Sequence, residues 1–248
     1  MTASPPTAGS PSQLPPGVTE SPLLALLGAP ADPSAEVNER LAVFGPSALD
    51  EEDTLVLFLC HCGLTGALAA SAAEALMMRF GGMGRIFGAP EYDLAQVIGV
   101  TASRRLGLLH GVLLRVLEHP LRKREVLSNT TAVHAYIRAR LGALPREAFH
   151  CLFLDSHNQL IQEECLGQGS VSNAPVYPRE VVRRALELSS SNLLLARCHP
   201  SGLPAPSQTD IEITRKISDA AKALGITVHD HFIVAGDQVT SLRARGLM

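Results

Sequence analysis

A chain of 248 residues with 46% hydrophobic composition is long enough to bury one or two hydrophobic cores. Its formal net charge of −3 at pH 7 excludes a general electrostatic attraction to nucleic acid or to anionic membranes. The first basic residue is Arg40, so the start of the chain lacks the charge pattern of a signal peptide, and we expect no apolar run to reach the length of a membrane span. The five scattered cysteines are typical of a reducing compartment, which predicts a cytoplasmic protein.

Residues 1–34 contain eight of the 17 prolines of the chain, interspersed with small residues and hardly any charge. Such a composition cannot bury enough apolar surface to offset the entropy of ordering, so it predicts a disordered tail. Residues 23–27 form an apolar cluster within this tail. The cluster is too short for a stable helix of its own, and we assign it no role.

Residues 35–120 are expected to form a small helical domain. Acidic residues at positions 50–53 are typical of a helix start, and residues 67–80 carry apolar side chains at helical spacing. Gly81-Gly82 ends this helix, and residues 93–97 are predicted to form a turn. The next helix, residues 103–117, carries apolar side chains on one side that we expect to pack in the core: Leu106, Leu109, Val112, Leu113 and Val116. The run Cys60-His61-Cys62 is interpreted as a helix end, because no second ligand pair follows it.

Residues 121–145 are predicted to connect this domain to the rest of the chain. The charged run at residues 122–125 is interpreted as a solvated surface. A helix at residues 131–141 follows, with Asn129 or Thr130 as its cap.

Residues 146–248 combine strand and helix patterns. Apolar runs and turn residues predict strands at residues 148–154, 160–166, 193–196 and 226–230, a hairpin through 231–241, and helices at 179–188 and 207–224. The first two strands are joined by a turn sequence and form a β-hairpin, whose partner is the third strand. Because strands and helices mix without strict alternation, the pattern favours an α+β fold, a sandwich with a mixed sheet.

The third predicted strand runs into a stiff loop with three prolines between residues 200 and 206, and the loop leads to Ser207, where a helix begins. Two interpretations of this junction stay open. In the first, Ser207 and Asp210 form a capping box at the helix start. In the second, His199 and Asp210 are metal ligands, because imidazole and carboxylate are typical zinc donors, and Ser207 supports a polarised oxygen beside them.

The spacing from His199-Pro200 to Ser207 and Asp210 resembles the H-x-H-P-x(6)-S-x-x-D signature of the JAB1/MPN/Mov34 metalloenzymes. Residues 169–187 and 224–237 resemble one branch of that superfamily, the bacterial RadC family. The chain is identified as a member of the RadC family from about residue 40 onward. The resemblance implies a helix-hairpin-helix-like domain followed by a JAB (MPN) domain.

For an intact family site, the resemblance implies that two histidines and an aspartate hold Zn2+, which activates a water molecule. A glutamate then acts as general base, and the serine stabilises the oxyanion formed from an amide or isopeptide carbonyl. Carried over to this chain, the resemblance gives His199 and Asp210 as zinc ligands, Ser207 as the catalytic serine and Glu147 as the catalytic glutamate. Such a site is that of a metallopeptidase, a hydrolase.

One residue departs from the family pattern. Arg197 stands where the first histidine ligand is expected, and a guanidinium stays protonated and cannot coordinate a cation. Cys198 is a soft donor next to it, but alternation along the strand should direct this thiol to the opposite face. One hypothesis is therefore an impaired site that acts as a binding module, with Arg197 paired to Asp210 or Glu147. The alternative is an active zinc metallopeptidase; in both, the partner or substrate is an unidentified protein or peptide.

Two other groups of residues bear on the same site. Glu163 and Glu164, on the second predicted strand, are alternative candidates for the catalytic role given to Glu147. The pair Asp230-His231 matches a pair of the RadC family, but a single histidine at a strand junction is usually a hydrogen-bonded structural group. We expect that structural role for His231.

A third hypothesis, an association with DNA repair, depends on residues 97–102. In the RadC family this turn corresponds to a helix-hairpin-helix loop, in which two glycines let backbone amides approach a phosphate. Gly99 supplies the first glycine, but Thr101 replaces the second, and nearby positive charge comes from Arg104 and Arg105. We therefore expect only weak nucleic-acid binding.

Overall fold

A computed structural model of the protein describes residues 32–169 and 176–248. The predicted disordered tail, with its apolar cluster at residues 23–27, lies outside the described residues except for its last three positions. Of these, Asp32 is the N-cap of a helix that begins at Pro33, and its side chain accepts a hydrogen bond from the Ser34 amide. Residues 170–175, part of the stretch that resembles the RadC family, also lie outside the described residues.

The N-terminal part of the described chain is helical, as predicted. Its α-helices are α1 (Pro33–Phe44), α2 (Glu51–His61), α3 (Gly66–Phe80), α4 (Met83–Gly88) and α5 (Glu91–Lys123), and a 3-10 turn spans Pro46–Ala48. Asp50 caps α2 by accepting a hydrogen bond from the Asp53 amide. Cys62 is the C-cap residue of α2, so the interpretation of the Cys60-His61-Cys62 run as a helix end is confirmed. Leu55, Leu59, Leu76 and Leu106 lie in the core that these helices share.

Helix α5 differs from the prediction at both ends. Residues 93–97, predicted to be a turn, are helical, and the break lies instead at Gly99, whose φ of 74° and ψ of 164° are not helical. A left-handed φ is tolerated there because glycine has no Cβ. At the other end the helix continues through Pro120 to Lys123, so part of the predicted connector is helical.

The apolar side of α5 is also placed differently from the prediction. Leu106 is fully buried, but Leu109, Val112, Leu113 and Val116 are between 40% and 63% exposed. The periodicity indicated an apolar side correctly, but it could not say whether another element covers it. Leu94, Ile98 and Ala102 of α5 join Leu106 in the helical core instead.

Among the described helices, α5 is the one that is long and apolar enough, by length and composition, to cross a membrane. Of its apolar 18-residue stretch, 22% is buried. The expectation that no apolar run reaches this length is therefore wrong. One such helix is weak evidence of a membrane span, because a core helix of a soluble protein and a signal sequence meet the same criterion. Cytoplasmic localisation stays a prediction.

The C-terminal part is built on a sheet with strand order β2-β1-β3-β4-β5 in the described residues. Its elements are α6 (Thr130–Leu141), β1 (Ala148–Leu154), β2 (Leu160–Gln168), α7 (Pro178–Glu187), β3 (Asn192–Cys198), α8 (Gln208–Lys222), β4 (Thr227–Ala235) and β5 (Gln238–Ser241). Strands β3 and β4 pair in parallel, while the other neighbours are antiparallel. The predicted strand at 226–230 and the start of the following hairpin are thus one continuous strand, β4.

The two faces of the sheet have different cores. Phe149, Cys151 and Phe153 of β1 pack in a cluster with side chains of α7 and α8. Ala148 and Leu152 point the other way and pack with Tyr136 and Ile137 of α6. This alternation places one helix layer on each side of the mixed sheet. The predicted α+β class is confirmed.

Candidate functional site

The junction between β3, the proline-containing loop and α8 brings the predicted site residues together. Arg197 lies near the end of β3, and His199 follows it directly. Ser207 and Asp210 lie at the start of α8. Strand β1 pairs antiparallel with β3 so that Phe149 faces Arg197, and this pairing brings Glu147, just ahead of β1, to the same end of the sheet.

Arg197 bridges the two carboxylates of the cluster. Its Nη2 lies 2.5 Å from Oε2 of Glu147, and its Nη1 lies 3.3 Å from Oδ1 of Asp210. The side chain is only 7% exposed, and the Asp210 side chain is fully buried. Nε of Arg197 has no hydrogen-bond partner among residues 32–169 and 176–248. The guanidinium thus meets both carboxylates inside the protein, where the attraction is weakly screened.

Asp210 also forms the capping box of α8. Its Oδ2 accepts hydrogen bonds from the Ser207 amide at 2.8 Å and the Ser207 hydroxyl at 2.6 Å, and the Asp210 amide donates back to Ser207 Oγ at 3.2 Å. The capping-box interpretation is therefore confirmed as local structure. Burial alone raises the pKa of Asp210, but hydrogen bonds from His199 and Ser207 and the Arg197 charge outweigh it and hold the pKa well below its usual range.

His199 closes the cluster on the loop side. Its Nδ1 donates to the carbonyl oxygen of Leu203 at 3.2 Å, and its Nε2 lies 3.3 Å from Oδ2 of Asp210. Because Nδ1 already carries a hydrogen, a hydrogen bond from Nε2 to the carboxylate requires the imidazolium form. The hydrogen bond to Asp210 accordingly raises the pKa of His199, despite the opposing effects of burial and of Arg197.

Comparison with protein families identifies the fold that carries this cluster. The family described as RadC-like JAB domain matches residues 127–247. This half of the chain is a RadC-like JAB domain. The identification as a RadC-family member is therefore confirmed, while the match covers less of the chain than the resemblance that begins at about residue 40.

A hydrogen-bonded pair under Asp210 extends the cluster into the interior of the JAB domain. The Thr214 hydroxyl donates to the Asp210 carbonyl oxygen at 2.5 Å, so His231 Nδ1, 2.6 Å from the same hydroxyl, must be the donor of that contact. His231 is fully buried, and its Nε2 has no partner in the described part of the chain. The expected structural role of His231 agrees with these contacts. Thr214 was missed because an apolar-periodic helix gives no signal for a hydroxyl that faces a histidine of another strand.

We expect His231 to make the JAB domain sensitive to mild acid. Burial lowers the pKa of His231 to about 4, whereas an unfolded chain protonates a histidine near pH 6.5. The unfolded state therefore binds more protons between these values, and the free energy of unfolding should fall by about 3 kcal/mol as pH decreases from 6.5 to 4. Well above pH 6.5 both states are neutral at this residue, so stability there is unaffected.

Denaturant unfolding of the wild type and of His231→Asn from pH 7 to pH 4 checks this expectation, because an asparagine amide can take over the contact with Thr214. The wild type should lose stability relative to the variant over that range. His150 and His199, whose pKa values are raised, act in the opposite direction in both proteins and cancel in the comparison. Parallel stability curves would refute the assignment to His231.

The remaining candidates near the site lie elsewhere in the JAB domain. Cys198 points to the opposite face, as predicted, where the Ala148 amide donates to its Sγ at 3.2 Å and burial raises the pKa of the thiol to about 11. Glu163 lies on that same opposite face and contacts His150. Glu164 is bound by Arg184 of α7 through a pair of hydrogen bonds. Of the three glutamates, the one that contacts Arg197 is Glu147.

The residues predicted to contact nucleic acid belong to the helical part and not to this cluster. Gly99 forms the break in α5. Arg104 Nε donates to a Glu91 carboxylate oxygen at 3.0 Å, and Arg105 Nη1 donates to the Cys62 carbonyl oxygen at 2.7 Å. Both guanidinium groups thus already have partners within the protein.

Proposed function

We propose that this RadC-like JAB domain has a metallohydrolase site impaired by Arg197 and acts as a module that binds a protein or peptide. The observation that carries the proposal is the Arg197 guanidinium between Glu147 and Asp210. Arg197 stands where the family signature has the first histidine ligand. Its positive charge lies beside Asp210, which would be a zinc ligand, and beside Glu147, which would be the general base.

The donor set supports this proposal because it does not fit a zinc ion. Protein zinc sites use three or four ligands, whereas His199 and Asp210 are the two candidates that remain here. No group of three or more His, Cys, Asp or Glu side chains able to hold a metal is found in the described residues. Arg197, 3.3 Å from Asp210, adds repulsion toward any cation at that carboxylate. The missing ligand and the repulsion by Arg197 both lower the affinity for zinc.

A cleft beside the cluster supports the binding role. It has a volume of about 240 Å³ and lies between the helical part and the loop after β3; its lining includes Arg79, Arg85, Pro145, His199 and Pro200. The His199 side chain, 12% exposed, thus faces both the buried ion pairs and this cleft. A peptide bound there would contact the former catalytic edge without needing a metal.

Metal analysis of the wild type tests the proposal. Protein purified without chelator and dialysed against excess zinc should retain well below one equivalent of zinc, measured by inductively coupled plasma spectrometry. It should also leave isopeptide-linked and peptide substrates uncleaved. Stoichiometric zinc that is lost in His199→Ala would contradict the proposal and would place Arg197 outside the coordination sphere.

The alternative, an active zinc-dependent metallopeptidase, is favoured by one observation. Glu147, His199, Ser207 and Asp210 all lie in one cluster, as the family mechanism requires. A role in DNA repair has less support, because Arg104 and Arg105 bind groups of the protein itself. The break at Gly99 is compatible with a helix-hairpin-helix loop, and nucleic-acid binding stays a prediction.

A further inference from the structure

A second cluster of reactive side chains lies on the face of the sheet that packs against α6, opposite the Arg197 cluster. It consists of His150 on β1 with Glu163 and Cys165 on β2, and we call it the thiol cluster. Strand β2 is an edge strand of the sheet in the described residues. The JAB signature includes none of these three residues, and the proposed function does not use them.

Strand pairing brings the thiol cluster together. His150 and Cys165 are direct cross-strand partners, and Glu163 lies two residues further along β2, on the same face. A register shift beside this pair leaves Leu166 without a partner, because Phe149 pairs with Gly167. Such bulges re-aim neighbouring side chains, and they are common beside functional sites.

Strand pairing and one hydrogen bond place the groups of the thiol cluster in the order thiol, imidazole, carboxylate. Nδ1 of His150 is hydrogen-bonded to Oε1 of Glu163, and Cys165 lies directly across from His150 in the strand pair, where its thiol donates to the Gly167 carbonyl oxygen at 3.5 Å. His150 is 4% exposed, and its Nε2 has no hydrogen-bond partner within residues 32–169 and 176–248. A carboxylate that orients an imidazole beside a thiol is the arrangement that activates cysteine nucleophiles.

Helices packed against the cluster hold the carboxylate in place. From α6, Arg140 Nε donates to Oε2 of Glu163 at 3.2 Å, and the Tyr136 hydroxyl donates to the same oxygen at 3.4 Å. Glu118 of α5 is the further charged group near Tyr136. Glu163, with its side chain only 7% exposed, therefore has three partners, which favours its ionised form and fixes the His150 ring.

The charges of the cluster favour a thiolate. Burial alone raises the pKa of Cys165, but the neighbouring His150 imidazole outweighs it and lowers the pKa of the thiol. Burial lowers the pKa of His150, while the contacts with Cys165 and Glu163 outweigh it and raise that pKa. The two shifts share one contribution, because a neighbouring thiolate and imidazolium stabilise each other.

Accessibility distinguishes Cys165 from the other cysteines. Cys165 is exposed, Cys60 is intermediate, and Cys62, Cys151 and Cys198 are buried. Burial raises the pKa of each of these three thiols, which makes them unreactive. A metal-binding role is not supported, since His150, Glu163 and Cys165 do not form a group that could hold a metal ion.

We propose that Cys165 is a nucleophilic thiol, activated by His150 and Glu163, that exchanges with small disulfides and is thereby a site of reversible mixed-disulfide modification. Cys165 Sγ forms a bond to one sulfur of the disulfide, and the disulfide bond breaks. The electron pair leaves with the second sulfur, which takes the proton of the His150 imidazolium. The products are a mixed disulfide at Cys165, one free small thiol and a neutral His150. The incoming disulfide is the oxidant, and no other oxidant is needed.

The pH dependence of thiol modification tests this proposal directly. Native protein is treated with 2,2′-dithiodipyridine from pH 5 to pH 9, and release of the thiopyridone is followed by absorbance. The same chain unfolded in urea gives the rate of ordinary thiols. We expect a fast phase of one thiol whose rate, at pH 6, exceeds that of the unfolded chain by about tenfold, because an ordinary thiol is largely protonated there. Oxidised glutathione should add one glutathionyl mass to the peptide that contains Cys165.

Variants assign the fast phase to the cluster. Cys165→Ser should abolish it, and Cys60→Ser, the matched control at the next most accessible cysteine, should retain it. His150→Gln and Glu163→Gln should each reduce the rate at pH 6 and shift the profile toward that of the unfolded chain, with the fold checked by circular dichroism. The wild-type profile alone keeps the test decisive if a variant fails to fold. A native Cys165 that reacts with the pH dependence of the unfolded chain, or a fast phase that stays in Cys165→Ser, would overturn the proposal.

Discussion

Replacing Arg197 with methionine is expected to lower the free energy of unfolding by about 3–5 kcal/mol, the usual cost of removing one partner from a buried ion pair. Methionine fills much of the same volume but leaves Asp210 without its guanidinium contact in a fully buried position and leaves Glu147 unpaired. Urea unfolding at pH 7 measures the loss. The effect is large because an unpaired buried carboxylate keeps its desolvation cost and loses the compensating charge.

Two further variants separate this cause from a general effect of losing an arginine. Arg184→Met removes solvent-screened ion pairs with Glu164 and Glu187, so its cost should be much smaller than that of Arg197→Met. Adding Glu147→Gln to Arg197→Met should recover part of the loss, since it removes one of the two unpaired charges. Equal losses in Arg197→Met and Arg184→Met would show that the buried pairs contribute little.

Replacing Arg197 with histidine is expected to create zinc binding at close to one equivalent, against well below one for the wild type. The substitution removes the cation and supplies an imidazole on the strand that leads directly to His199. Together with Asp210, the two histidines make the three protein ligands of a catalytic-type zinc site. Zinc analysis after dialysis and isothermal titration both measure the gain.

The controls for this gain follow from the contacts. Adding Asp210→Ala should abolish the binding, whereas Arg184→His, which places a new histidine on α7, should bind no more zinc than the wild type. Zinc at 100 times its dissociation constant should stabilise Arg197→His by about 2.7 kcal/mol, because the ligand binds the folded state. If Arg197→His binds no zinc while it remains folded, the cluster is not a former metal site.

Local patterns predicted much of the fold. The β1–β2 hairpin and its pairing with β3 were evident because each strand is a short apolar run bounded by turn residues. The capping box was readable because Ser207 and Asp210 are three residues apart. The exposure of Leu109 and Val116 on α5 could not be predicted from the sequence. Periodicity identifies the apolar side of a helix, but it does not indicate whether another element covers that side.

The two clusters differ in how far the sequence alone predicts them. The residues around Arg197 lie within a long signature, so the sequence alone brought them together, although their roles in binding or catalysis stay predictions. The thiol cluster had no such signal. Its members come from two strands, and only the register of β1 and β2 makes His150 the neighbour of Cys165. A bulge shifts that register, and bulges are not readable from one sequence.

The parallel pairing of β3 with β4 has a consequence for the order in which the chain is synthesised. Strand β3 lies in the interior of the sheet, yet one of its two partners, β4, begins only at Thr227, after the whole of α8. At a translation rate of about 5–20 residues per second, β4 follows β3 from the ribosome after an interval of a few seconds. During that interval Leu193, Leu194 and Leu195 form an apolar strand with one open edge, which is a template for pairing with another nascent chain. The site end of β3 is therefore the last part of that strand to gain neighbours on both sides, and chaperone contact is most valuable at that stage.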